Sequence, residues 1–183
     1  MNGLDALPIV LVIVYGALGL FTGALRRLVG LIALYLAFVG ATNMGLQAGQ
    51  IMQQSSNLET PDARIYGFFG IVIAVIVIVE GAAQLVGSQI QGGAVVFNRA
   101  LGVVLGVTTA VVLSVLITYE LEAAGNPFGG GTLDAQQLQI RDQVNGSHIA
   151  VPLVSAIGKP IVTVFQIALP GDPQIYFSQN PVT

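Results

Sequence analysis

The stretch from Asn98 to Thr118, NRALGVVLGVTTAVVLSVLIT, holds one charge, Arg99, and a row of small residues at a fixed step of four: Gly102, Gly106, Ala110, Ser114 and Thr118. About 20 residues this apolar suffice to cross a bilayer's hydrocarbon core as one helix. Inside lipid there is no hydrophobic drive to bury leucine against leucine, so helices associate by close backbone approach, which small side chains permit. A step of four exceeds the 3.6 residues of a helical turn, so the row drifts round the helix as a right-handed seam does. The stretch therefore predicts a membrane helix carrying a packing seam. Gly19 and Gly23, and then Ala33, Ala37 and Ala41, are counterparts within the chain; a second copy of the chain would serve as well.

Composition extends the reading to the whole protein. Of 183 residues 54% are hydrophobic and 8% charged, and mean hydropathy is +0.82. Ordinary soluble domains carry roughly a quarter charged residues, so this chain cannot clothe a water-facing surface, and its main partner is the lipid bilayer. Six basic residues and a net charge of −3 leave no basic face for nucleic acid. Without cysteine, and with His148 alone among histidines, neither a thiolate nor a multi-histidine metal site is available. No nucleophile, base and orienting acid stand together, and no phosphate-cradling loop precedes a basic residue. The sequence reads as non-enzymatic and needing no cofactor.

Four spans are predicted: about 4–22, 28–46, from about 65, and 100–119. The first is no secretory leader, because Asp5 precedes it and the arginines follow it. An unbroken helix through Arg26 and Arg27 would place two charges near mid-bilayer at about 2.5–3.5 kcal/mol each, so a hairpin breaking at Thr22 and Gly23 is predicted. The β-branched run from Ile71 to Val79 has strand propensity, but its apolar flanks extend it beyond strand length, and in lipid it reads as helix. Polar connections are predicted at 47–64 and, with glycine, between the third and fourth spans. Arg26, Arg27 and Arg99 fall on one side, which the positive-inside rule assigns to the cytoplasm. Both termini then face out, with Tyr66 and Tyr119 at the outer headgroup level.

Beyond Tyr119 the chain turns polar from 120 to 146, a flexible linker by composition with a glycine joint at Gly129–Gly131 and a short amphipathic piece from Leu133 to Val144. Apolar character returns in 147–183. A fifth span there would set Lys159 at mid-depth and Pro160 in its helix ladder. The helical spacing of Leu153, Val154, Ile157, Ile161, Val164, Phe165 and Ala168 predicts instead a kinked amphipathic helix lying on the outer leaflet or capping the bundle. The fold class is thus an all-α integral membrane protein: a four-helix domain over 1–119, the linker, and an outer amphipathic segment.

One intramembrane acid stands out, Glu80, with Gln84 a turn further on the same face. A carboxylate there faces the bundle, pairs with Arg26, Arg27 or Arg99, or takes a proton. An interhelix clamp, a residue on an ion or proton path, and a boundary residue snorkelling to the surface are all compatible with it.

The opening MNGLDALPIVLV, the hairpin LGLFTGALRRLVGLIA from Leu18 to Ala33, and NRALGVVLG from Asn98 to Gly106 resemble the patterns of the colicin V production protein (CvpA) family. In that pattern an aspartate precedes the first span, an Arg-Gly then Arg-Glu hairpin follows it, and Asp-Arg, Leu-Gly and a further glycine come later. Asp5, Gly23, Arg26, Arg99, Gly102 and Gly106 match it. Thr22 stands at a position usually arginine, Arg27 at one often glutamate, Asn98 at one usually aspartate, and Thr109 and Ala110 replace a second Arg-Gly. The resemblance implies a four-span protein of the bacterial inner membrane, linked to toxin production or export and to envelope homeostasis. Two functions are therefore carried forward. One is a non-enzymatic membrane factor working with other membrane proteins or with copies of itself. The other is a transport or channel role with a polar path through Glu80. A structural subunit of a larger membrane complex is a variant of the first.

Overall fold

A computed structural model describes residues 2–86, 95–129 and 132–179. The connection at 87–94 and Gly130 and Gly131 of the glycine joint lie outside the described residues, as do the side chains of 83–86, Gln84 among them. The described residues form helices joined by turns: α1 (Gly3–Thr22), α2 (Ala24–Ser55), α3 (Thr60–Val86), α4 (Val95–Gly125), α5 (Ala135–Asn145), α6 (Ala150–Phe165) and α7 (Pro173–Tyr176). The first four are each long and apolar enough to cross a membrane. Large apolar side chains stand bare on their outer faces, among them Ile13, Phe21, Ile73, Ile78 and Val104, as suits a hydrocarbon solvent.

The break between α1 and α2 is a single residue. Gly23 has φ +79°, a left-handed conformation natural to glycine alone, and its N–H closes α1 on the Gly19 carbonyl. The two helices joined there splay apart. α1 packs antiparallel along α4, α2 packs antiparallel along α3, and α2 and α4 bring the two pairs together.

The polar connection expected at 47–64 is mostly helix. α2 continues to Ser55 because Gly49 lies on the Ala63 backbone and Gly45 on that of Phe68, so the seam between α2 and α3 outlasts the apolar run. Only 56–59 forms the turn. At 32 residues α2 is about 48 Å long, more than a bilayer's hydrocarbon core of about 30 Å. The stretch 120–146 is likewise largely helical. α4 runs on to Gly125, and α5 opens on a capping box in which Asp134 and Gln137 satisfy each other's backbone N–H groups.

α5 and α6 meet at a bend of 86°. α6 passes through Pro160 without interruption, leaving Lys159 and Pro160 exposed and burying Ala150, Gly158 and Phe165. The chain then turns back over the bundle as a strap, residues 166–179. Phe165 lies 5.4 Å from Tyr35, centroid to centroid, and Phe177 5.5 Å from Phe68; Ala168 accepts a hydrogen bond from the Thr42 hydroxyl at 2.6 Å. Phe177 is 0% exposed. The aromatic rings of Phe165, Tyr176 and Phe177 enter the main core with Phe38 and Phe68.

Candidate functional site

Three polar positions interrupt the apolar packing, and the seams decide where each one sits. Along the α1–α4 seam, a Cβ on Gly19 would run into the Gly102 carbonyl, one on Gly102 into that of Gly19, and one on Gly106 into that of Tyr15. Ala110, Ser114 and Thr118 continue the row with no exposure, and the Ser114 hydroxyl donates to the Ala110 carbonyl at 2.7 Å. The partner of Gly102 and Gly106, the glycines of the row, is therefore α1 of the same chain. Gly23 sits beneath the Asn98 side chain, whose Oδ1 accepts the Ala24 N–H at 3.0 Å.

The row of Ala33, Ala37 and Ala41 runs further than its apolar stretch suggests. Ala33, Ala37 and Ala41 are fully buried, and the step of four continues to Gly45 and Gly49, which lie against Phe68 and Ala63; Gly67 on α3 fits between Gly45 and Gly49. The signal was two further steps of a row already visible, set in a stretch that polarity marked as connection.

At the end of the bundle shared by the α1–α2 break and the start of α4, Arg27 turns inward. It is 4% exposed, its Nη1 stands 3.7 Å from Glu80 Oε1, its Nε donates to Thr22 Oγ1 at 3.2 Å, and its guanidinium lies 5.6 Å from the centre of the Tyr15 ring. A Cβ on Gly30 would come within 3.2 Å of Glu80 Oε1, so the bare backbone there makes room for the carboxylate. The cluster ties α1, α2 and α3 together. Thr22 and Arg27, two positions that depart from the family pattern, touch each other. Arg26 is half-buried and Arg99 exposed, and neither makes an ion pair with Glu80.

Asp5 does more than close its own helix. Oδ2 accepts the Asn2 N–H, while Oδ1 accepts the Ser147 hydroxyl at 2.7 Å and the N–H groups of His148 and Ile149, each at 2.9 Å. Ile149, at the N-cap of α6, offers no capping side chain of its own. The Ser147 hydroxyl in turn accepts the N–H groups of Ala150 and Val151 that open α6, so the carboxylate on α1 holds the capping group of α6 and brings a negative charge to its N-terminus.

The third position is Glu120, which composition assigned to the polar tail. It is fully buried on the inward face of α4, with Leu116 and Ala124 one turn to either side, and neither carboxyl oxygen has a hydrogen-bond partner. The signal was its spacing, seven residues from Leu113 and four from Leu116, which continues the core face of the fourth span. Among the described residues no group of three or more histidine or acidic side chains is arranged to hold a metal ion.

Four long apolar helices in two glycine-seamed pairs, with an ion pair inside one end, define a polytopic membrane protein. The family model described as Colicin V production protein matches residues 4–156, and the chain belongs to that family. No curated protein and no solved structure matches it.

Proposed function

We propose that the protein is a non-enzymatic factor of the bacterial inner membrane, with both termini outside, that supports toxin export and envelope maintenance by offering a fixed outer cap to partner membrane proteins or to copies of itself. The observation that carries this reading is the Asp5 tie. It spends a charged residue at a position that matches the family pattern on anchoring α6, and so on holding the cap in one orientation. Binding surfaces gain from such preorganisation because less freedom is lost on association. The orientation rests on the cluster of Arg26, Arg27 and Arg99 at one end.

Glu80 belongs to this reading as a clamp. A carboxylate already set against a buried guanidinium is a poor relay for a travelling ion, which favours the structural role over a transport path.

The test is complementation of a deletion strain, read as secreted toxin activity and as leakage of an impermeant dye. The wild-type gene should restore both, and Asp5→Ala, at equal membrane abundance, neither. Full restoration by Asp5→Ala would remove the cap from the explanation, and no effect of the deletion on either readout would end the reading.

A further inference from the structure

Glu120 asks for an explanation that the clamp and the cap do not provide. Its carboxyl is enclosed by core residues of α4, and nothing donates to either oxygen. A lone ionised carboxylate is among the costliest groups to bury, whereas the neutral acid, with one O–H and one carbonyl, suits a site without cations or N–H donors. Next to it lies a cavity of about 510 Å³, lined on α4 by Tyr119, Glu122 and Ala123 and on the strap by Asp172 and Gln174. Glu120 itself lies on the adjoining, inward face of α4, one residue from the cavity wall at Tyr119 and two from Glu122, and Glu122 and Asp172 give the cavity rim a negative potential that concentrates cations.

The strap forms the other wall. Tyr176 donates to the Ala41 carbonyl at 3.3 Å and packs on Phe68, while Arg64 donates to the carbonyls of Tyr176 and Ser178. Burial pushes the Tyr176 phenol up, and a negative charge on Glu120 pushes it further. Ionisable side chains on the surrounding elements are Tyr119 and Glu122 on α4, Asp62 and Arg64 on α3, Asp134 and Arg141 at α5, and Asp172 and Tyr176 on the strap.

We propose that Glu120 is a proton-binding site at the outer end of the bundle, filled from the acidic cavity beside it, and that its occupancy keeps the strap 166–179 docked. Loss of the proton to water leaves a buried carboxylate on the stretch of α4 that packs against the strap's α7, and the strap lifts to let water solvate it. No other covalent bond forms or breaks, and lifting releases the hydrogen bonds that join the strap to Thr42, Ala41 and Arg64. This inference is independent of the envelope role.

The test uses the full chain in lipid nanodiscs. Because the chain has no cysteine, Ser178→Cys, buried on the strap itself, reports undocking through its labelling by a thiol reagent, normalised to exposed Ser56→Cys to cancel thiol ionisation. Raising the pH from about 6 to about 9 should increase the normalised rate about tenfold, a shift of about one pKa unit in docking. In Glu120→Gln, which mimics the occupied site, the rate should stay low and flat. A flat wild-type profile, or the same rise in Glu120→Gln, overturns the proposal. Infrared titration of the wild-type chain covers the case in which Glu120→Gln fails to fold. A neutral carboxylic acid band lost over the same pH range is expected, and no such loss overturns the proposal.

Discussion

Asp5 on the first helix accepts the backbone N–H of Ile149 at 2.9 Å across 144 positions of sequence, and so holds the start of a helix to which it does not belong. Substituting Asp5→Ala leaves that N–H, the N–H of His148 and the Ser147 hydroxyl without their acceptor in a buried place. We expect the melting temperature in mild detergent to fall by several degrees and protease cleavage to appear between α5 and α6. Asp5→Asn, which keeps one acceptor oxygen, should fall between the two. Equal melting of all three proteins would show that the tie contributes nothing.

Gly106→Leu should separate α1 from α4, because the new side chain meets the Tyr15 carbonyl at its first carbon. Overpacking of this kind costs about 1–3 kcal/mol, and more where backbone is the obstacle. Val104→Leu, on a residue 60% exposed to the lipid side, is the control and should be neutral. Thermal unfolding in detergent compares the two, and indistinguishable curves would mean that the glycine row is incidental.

For the second seam, Gly49→Ala is sufficient. A single methyl there would press on the Ala63 backbone, whereas Gly70→Ala on α3 meets nothing within 4 Å. The first should lose about 1–3 kcal/mol and the second gain a little helix propensity. The same melting experiment decides between them.

Double-mutant cycles locate the partner of Glu80. The cycle of Glu80→Gln with Arg27→Gln should show coupling of about 1–2 kcal/mol, as expected for contacting charges that are partly sheltered. Cycles with Arg26→Gln and Arg99→Gln should be additive within about 0.5 kcal/mol. Coupling to Arg99 in place of Arg27 would contradict the ion pair described.

Topology is tested by single cysteines in intact cells. Ser56→Cys and Phe128→Cys should react with an impermeant thiol reagent from outside, and Leu25→Cys and Gly92→Cys should react only after the membrane is opened. The reverse pattern would invert the assigned orientation.

What was legible in the sequence follows from the solvent. Lipid forces the backbone into helices, so four spans could be read from hydropathy, and it rewards close approach, so the row from Gly102 to Ser114 stood out. The same reasoning stopped too early at Gly45 and Gly49, because Gln47, Gln50 and Gln53 around them look like loop while glycine continues to pack. Glu120 was hidden for a related reason. Read by composition it begins a polar tail, and only its register with Leu113 and Leu116 places it inside. The strap's insertion of Tyr176 and Phe177 beside Phe68 joins residues more than a hundred positions apart, and no local pattern in the sequence carries a contact of that range. Asp5 could be picked out by its match to a family pattern, but its bonds to His148 and Ile149 could not.

The pairing of α1 with α4, rather than with the neighbour to which Gly23 joins it, has a bearing on biosynthesis. A ribosome delivers α1 first and α4 last of the four long helices, so the glycine face of α1 must wait in the bilayer, covered by acyl chains, while α2 and α3 are made and close on each other. The earliest helix of the chain is thus among the last to find its place. A nascent chain halted before α4 holds one finished pair and one bare groove, and a premature end at that point yields a protein that inserts but cannot complete its bundle.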